Sequence, residues 1–323
     1  MIISLNNYIY SQEKYPDALS LTLRLEKYNY MVDEPIYYEL AEKNVSDRII
    51  STSPMRPSAI YWFKIILTNS RGDTLLYKGG QGFFNIVRDK HGVILQPGET
   101  IYDVRNLLGI FGENDESHGI TLYLPPHKYK IKIIHYTNTH WPLDFNEAMA
   151  TTKGDYNQAI NIIDKMAIES NEVEFEVVEP QGEEKRVQAK LLNAYNILQQ
   201  IAGREPIEII PILNEIVDNY PNSVYAKPAY YQMKLFLSPS SRSQTRWDED
   251  KILRKYSNSF FIYPIIEMKG VAYTKNALEL LPNDYDVAYT KNALESLVKD
   301  YPNTKLEEYT YNIISRYKII ENK

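Results

Sequence analysis

The apolar residues of the first half of the chain recur at every second position, and those of the second half recur at helical spacing. Leu19, Leu21, Leu23 and Leu25 fall on one side of an extended segment, with Ser20, Thr22, Arg24 and Glu26 opposite, the pattern of a half-buried strand. The same reading predicts strands over 36–42, 59–68, 74–77, 83–88, 120–124, 129–136 and 172–178. Turn residues separate them, among them Asp33-Glu34-Pro35, Asn69-Ser70-Arg71-Gly72-Asp73, Gly79-Gly80, His91-Gly92, Pro97-Gly98 and Pro125-Pro126. Short strands joined by such turns predict an antiparallel β-sandwich rather than alternating strands and helices. Residues 138–170 interrupt the pattern as an insertion, within which 156–163 has helical spacing.

After Pro180-Gln181-Gly182 the period changes. Val187, Leu191, Leu192, Tyr195, Leu198 and Ile201 form one apolar stripe, ended by Ala202-Gly203. A turn motif then occurs three times, as Tyr220-Pro221-Asn222-Ser223, Tyr256-Ser257-Asn258-Ser259 and Tyr301-Pro302-Asn303-Thr304. Each copy lies between two helical stretches. Pro228 and Pro264 follow the first two copies at a position that suits the first turn of a helix. First helices of three hairpins are expected at 207–219, 244–255 and 285–300. The nonapeptide beginning at Val271 returns unchanged at Val287, which reads as a short duplication that lengthens the third unit. The chain therefore divides into an N-terminal segment over 1–17, a sandwich over 18–180 and a helical repeat domain over 184–323, with a core expected in each.

Several short motifs carry resemblances. Tyr28 through Glu34-Pro35-Ile36, followed by Glu42-Lys43-Asn44-Val45-Ser46, resembles the opening of bacterial immunoglobulin-like domains. Gln96-Pro97-Gly98-Glu99-Thr100 resembles their "PGE" turn, and His127-Lys128-Tyr129-Lys130-Ile131 their penultimate strand, with His127 where those domains have glycine. Ser170 through Pro180 is similar to the closing strand. The cysteine pair and tryptophan of antibody domains are absent. The three turns resemble those of tetratricopeptide repeats in bacterial envelope proteins, although Ile209 and Pro211 depart from that consensus and the third unit has Tyr309 in place of the aligned proline. The resemblances imply an Ig-like β-sandwich followed by a tetratricopeptide-like (TPR-like) α-solenoid, a scaffold architecture for protein–protein interaction.

Composition narrows the chemistry. Without cysteine there are no disulfides, thiolate metal sites or cysteine nucleophiles. The net charge is −6; residues 1–180 carry 17 Lys+Arg against 24 Asp+Glu, and residues 181–323 carry 19 against 18. Neither half has the basic excess that a nucleic-acid partner would call for, and no apolar run reaches the ~18 residues of a membrane-spanning helix. His127 and His135 fall on the same face of one strand but about 25 Å apart at strand rise, too far to share an ion. They are expected to be solvated, and no metal ligands are assigned. Gly79-Gly80-Gln81-Gly82 reads as a hairpin turn, G-x-S-x-G is missing, and Asp115-Glu116 and Asp248-Glu249-Asp250 lie in polar stretches. No catalytic or cofactor-binding residue is assigned, and no cofactor is implied.

The resulting expectation is a non-catalytic binding protein that engages a protein or peptide through the concave side of its repeats, where Asn214, Arg254, Lys291 and Asn292 are the candidate contacts. The alternative is a hydrolase acting on a glycan or peptide, with a dispersed carboxylate site in the sandwich and the 138–170 insertion as a lid. Met1–Gln12 looks like the last third of a signal peptide, which sets a periplasmic or cell-surface location as the expectation and a cytoplasmic one as the alternative.

Overall fold

The leucine alternation from Leu19 to Leu25 becomes a strand whose leucines are all buried. The computed structural model describes residues 16–52, 63–76, 93–110, 123–137, 143–154, 158, 166–200, 208–236, 249–266 and 294–321. Its strands are β1 (Leu19–Leu25), β2 (Asn29–Met31), β3 (Tyr37–Asn44), β4 (Ile50–Thr52), β5 (Phe63–Asn69), β6 (Thr74–Leu76), β7 (Val93–Leu95), β8 (Thr100–Asn106), β9 (His127–Thr137), β10 (Met166–Glu169) and β11 (Val173–Val178). Two short helices, α1 (Leu107–Ile110) and α2 (Leu143–Thr151), fall among them. The helical part comprises α3 (Gly182–Gln200), α4 (Ile210–Asn219), α5 (Ala226–Phe236), α6 (Glu249–Tyr256), α7 (262–266), α8 (294–300) and α9 (Lys305–Glu321).

The strands form a β-sandwich. One sheet has the order β1-β3-β8, and the facing sheet runs β2-β11-β9-β5-β6 with β10 also on β9; β4 and β7 make a separate pair. All pairings are antiparallel except that of β2 with β11. The leucines of β1, Tyr38 and Leu40 of β3, Phe63, Ile65 and Leu67 of β5, and Ile131 and Ile133 of β9 fill the space between the sheets.

Strand β3 departs from simple alternation, because seven of its eight residues are buried. Its second face carries Tyr37, Glu39 and Ala41, paired with Asn106, Val104 and Tyr102 of β8. That face is covered by the helical part. The two expected cores are present, but the helical one takes in Tyr37 and Val104 from the sandwich, so it is completed by the sheet. The β1-β3-β8 sheet is the middle of three layers.

The strands predicted at 36–42, 74–77, 129–136 and 172–178 correspond to β3, β6, β9 and β11, and 59–68 overlaps β5. Tyr123 and Leu124, predicted as strand, have no regular structure, and 83–88 lies outside the described residues. The helix predicted at 156–163 also falls outside them apart from Gln158; in the insertion, the described helix is α2. Strands β2, β4, β7, β8 and β10 were not expected. Four of them have only three or four residues, too few to show a period.

Asn44 closes β3. Its Nδ2 donates to the carbonyls of Arg48 at 2.7 Å and Leu95 at 3.0 Å, and its Oδ1 accepts from the Ser46 backbone N–H at 3.0 Å. The residue has no exposure, so truncation strands buried backbone groups. Asn44→Ala is expected to lower unfolding free energy by about 1–3 kcal/mol in urea titrations. A change below about 0.5 kcal/mol, the range of an ordinary surface substitution, would contradict this role.

Candidate functional site

The first two copies of the turn motif build the same local structure, and the third joins two helices with different bonds. In the first, the Tyr220 N–H bonds the Ile216 carbonyl as α4 ends, and the Ser223 N–H bonds the Tyr220 carbonyl. Ser223 Oγ then accepts from the N–H of Tyr225, which satisfies an otherwise orphan donor at the start of α5. In the second, the Ser259 N–H bonds the Tyr256 carbonyl, and Ser259 Oγ accepts from Phe261 N–H before α7. In the third, Thr304 Oγ1 donates to the Tyr301 carbonyl and accepts from Glu307 N–H, while Glu307 Oε2 accepts from the N–H of Asn303. Asn303 has φ of 61°, a left-handed conformation that asparagine tolerates. The motif is thus a helix end, a turn and the cap of the next helix.

The helices that follow these turns dock on the outer face of the β1-β3-β8 sheet. From the first unit, Tyr225 Oη donates to the Val32 carbonyl at 2.6 Å and Lys227 Nζ to Glu26 Oε1 at 2.7 Å. In the second, Ser259 Oγ donates to the same Glu26 oxygen and Tyr263 Oη to the Tyr102 carbonyl at 3.0 Å. In the third, Lys305 Nζ and Tyr309 Oη reach Glu39 Oε2 at 3.0 and 2.6 Å, and Asn312 Nδ2 donates to the Thr100 carbonyl at 3.2 Å. Ahead of all three, Gln188 of α3 donates to Asp33 Oδ2 at 2.8 Å. Tyr37 packs edge-on against Phe261, and Tyr102 against Tyr309.

Like Tyr225, Tyr263 and Tyr309, Glu39 has no solvent exposure. Arg24 Nη1 lies 3.5 Å from its second oxygen. The Lys305 ammonium sits 5.4–5.8 Å from the ring centres of Tyr102, Phe260 and Tyr309, a cation held by aromatic faces as well as by Glu39 and Glu308. Burial pushes the Tyr309 phenol far above its ordinary range, and the Glu39 charge adds to this. Burial works against the Glu308 carboxylate too, but bonds from Lys305 and Tyr102 outweigh it and hold that carboxyl below its usual value.

The four candidate contacts fare differently. Asn214 is half-buried on α4, and Arg254 is exposed on α6. Lys291 and Asn292 lie outside the described residues. No hydrogen bond or ion pair joins Asn214 to Arg254 among the described residues. Beside the third turn, Asn258, Asn303, Glu307 and Tyr311 line an open groove of about 520 Å³ with the start of α9. Sequence reasoning missed Glu26, Glu39, Lys305 and Tyr309. The one available signal was the pair of adjacent tyrosines at the start of β3, which requires apolar surroundings on both faces.

The histidines require a correction. His127 is half-buried, with Nδ1 2.9 Å from Ser70 Oγ, but His135 is fully buried rather than solvated, because its strand position faces the opposite sheet. His140 lies outside the described residues. Among the described residues no three His, Asp or Glu side chains are arranged to hold a metal ion, and no helix is long and apolar enough to cross a membrane.

No family model matches the chain, and no curated protein matches it. Among solved structures, PapD-like domain 7 of human CEP192 aligns at 8% identity with a TM-score of 0.23, over 56% of this chain and 100% of that one. The sporulation control protein Spo0M of Bacillus subtilis aligns at 11% identity and a TM-score of 0.23, over 56% of each chain. A β-glucosidase of Listeria innocua aligns at 14% identity and a TM-score of 0.21, over 47% of this chain and 16% of that one. At such scores the sandwich assignment rests on the strand order itself.

Asp33 offers a test of the interface by pH. Burial pushes its carboxyl up, against the pull of the Gln188 bond. Its folded-state value therefore lies above the unfolded one, so ionisation at neutral pH weakens the fold and the penalty disappears as pH falls through the folded value. Asp33 also has φ of 63°, which asparagine accepts. Asp33→Asn keeps the acceptor for Gln188 and is expected to melt higher than the parent at neutral pH, with the margin narrowing toward about pH 4. A margin that widens on acidification would contradict the assignment.

Proposed function

We propose that this chain is a non-catalytic binding protein in which an Ig-like sandwich braces a tetratricopeptide-like array of hairpins, and a protein or peptide partner docks on the first helices of that array. The observation that carries the reading is the use of the repeated turns. All three, with the helices that follow them, are engaged by the sandwich. The first helix α6 leaves Arg254 in solvent, and α4 leaves Asn214 half-buried. A stacked array held rigid along one side loses little conformational entropy when a partner binds the other.

The state of the acidic groups also favours binding over hydrolysis. A dispersed glycosidase or peptidase site needs two carboxyl groups facing an open cleft. The buried carboxylates of the sandwich are instead bonded internally: Glu34 to Lys27, Glu39 to Lys305 and Tyr309, Glu42 to His135 and Thr52, and Asp103 to Arg105. The bacterial envelope location belongs to this same proposal.

The test is affinity capture with the full chain, with partners identified and then titrated as purified proteins. Arg254→Glu combined with Asn214→Ala is expected to weaken binding about tenfold or more, equivalent to ~1.4 kcal/mol. Lys64→Glu, on the exposed face of the far sheet, is expected to leave binding unchanged. The reverse pattern would place the recognition surface on the sandwich and overturn the reading.

A further inference from the structure

The third turn differs from the first two in the polar groups it leaves unused. The cap serines of the first two turns donate outward, Ser223 to Glu184 and Ser259 to Glu26. Thr304 instead donates to Tyr301 within its own turn. The groove beside it holds about 520 Å³, inside the range of roughly 300–1,000 Å³ that small-molecule sites occupy. Asn258 and Asn303 stand at the same place in the second and third copies of the motif, and the groove brings them together.

Its charged groups are already committed. The N–H groups of Lys305, Leu306 and Glu307 would be orphans in an isolated helix, but each has an acceptor here. Lys305 bonds Asn258 Oδ1 at 3.3 Å, Leu306 the Ser257 carbonyl at 2.8 Å, and Glu307 the Thr304 hydroxyl at 3.3 Å. The Lys305 ammonium is turned to Glu39 and Glu308. An anion entering the groove would find neither a vacant helix end nor an unpaired cation, and it would meet the Glu307 carboxylate. No acidic cluster suited to a metal ion exists among the described residues.

The groups that remain are neutral amides, one carboxylate oxygen and an aromatic ring. Among the described residues, Asn258 Nδ2, the Asn303 side-chain amide, Glu307 Oε1 and the Tyr311 hydroxyl make no hydrogen bond. Tyr311 is 56% exposed, a large amphipathic ring left in solvent. Glu307 and Tyr311 are four residues apart, so they share one side of α9 at about 6 Å along its axis. A ligand that fits this set needs an apolar face for the ring and, around its edge, groups that both donate and accept. Sugar rings have both, in their C–H faces and their hydroxyls. A wholly apolar ligand would leave two amides and a carboxylate oxygen without partners.

We infer that this groove binds a neutral saccharide, with Tyr311 as the platform for one ring and Asn258, Asn303 and Glu307 as partners for its hydroxyls. The site lies at the third turn and α9, apart from the first helices α4 and α6, and it does not depend on a protein partner docking there.

The experiment screens the full chain, tetramerised on streptavidin to raise avidity, against an array of neutral and anionic glycans. The best-retained neutral glycan is then titrated against the monomeric chain by calorimetry. Neutral glycans are expected to be retained in preference to sialylated or sulfated ones. Tyr311→Ala should weaken the titrated glycan about tenfold or more without changing the melting temperature, because the ring is exposed. Asn303→Gly, which keeps the left-handed turn but removes the amide, should also weaken it. Lys64→Glu on the far sheet should have no effect. Retention of no neutral glycan, retention of anionic glycans alone, or an affinity that Tyr311→Ala leaves unchanged would overturn the proposal.

Discussion

A carboxylate with no access to water sits between the sandwich and the helices, and the arrangement of both depends on keeping it paired. Glu39 lies on the outer face of β3, where an ordinary two-layer sandwich would present a solvated side chain. Here it accepts from Lys305 and Tyr309. Removing one partner of a buried ion pair costs about 3–5 kcal/mol, because the remaining charge is left in a poor solvent. Losing Lys305 while the helices stay docked therefore strands the Glu39 charge, and undocking the helices would expose Tyr37 and Val104. The apolar cluster that Tyr37 and Val104 share with the helices joins the layers, and the pairing of Glu39 makes their contact specific.

The interface is also directional. Glu26 and Glu39 of the sandwich meet Lys227 and Lys305 of the helices, and Asp33 meets Gln188 of α3. Backbone carbonyls of Val32, Thr100 and Tyr102 accept from Tyr225, Asn312 and Tyr263. These bonds are spread over the segments after all three turns, so sliding by one helical turn would break them together. This registration fixes the helices against the sheet. The Glu42–His135 pair lies on the opposite side of β3.

The legible parts of the sequence were those with a strong period or a repeated turn. The leucines of β1, the long strand β9 and the stripe of α3 each bury one face, which leaves a clear alternation or stripe. Strand β8 was illegible for the opposite reason. With Ile101 and Asp103 toward one layer and Tyr102 and Val104 toward the other, it has no solvated face to mark its register. The same holds for β3, where Glu39 and Glu42 read as surface residues although each is enclosed by a partner distant in sequence. Lys305 lies 266 residues from Glu39, and His135 lies 93 from Glu42. Of the candidate contacts, Arg254 was readable as a polar position on an amphipathic helix; nothing local could tell that the turns themselves would be occupied by the sandwich.

The measurement that bears most directly on the three-layer account is hydrogen exchange across a denaturant series, comparing peptides from β3 (Tyr37–Asn44) and α9 (Lys305–Glu321) in the same full-length sample. If the shared apolar cluster and the paired Glu39 join sheet and helices into one cooperative unit, both peptides lose protection at the same denaturant concentration, and Lys305→Met shifts both midpoints down together. Loss of protection in α9 well before β3, with the sandwich still protected, would show two independent domains and contradict the account.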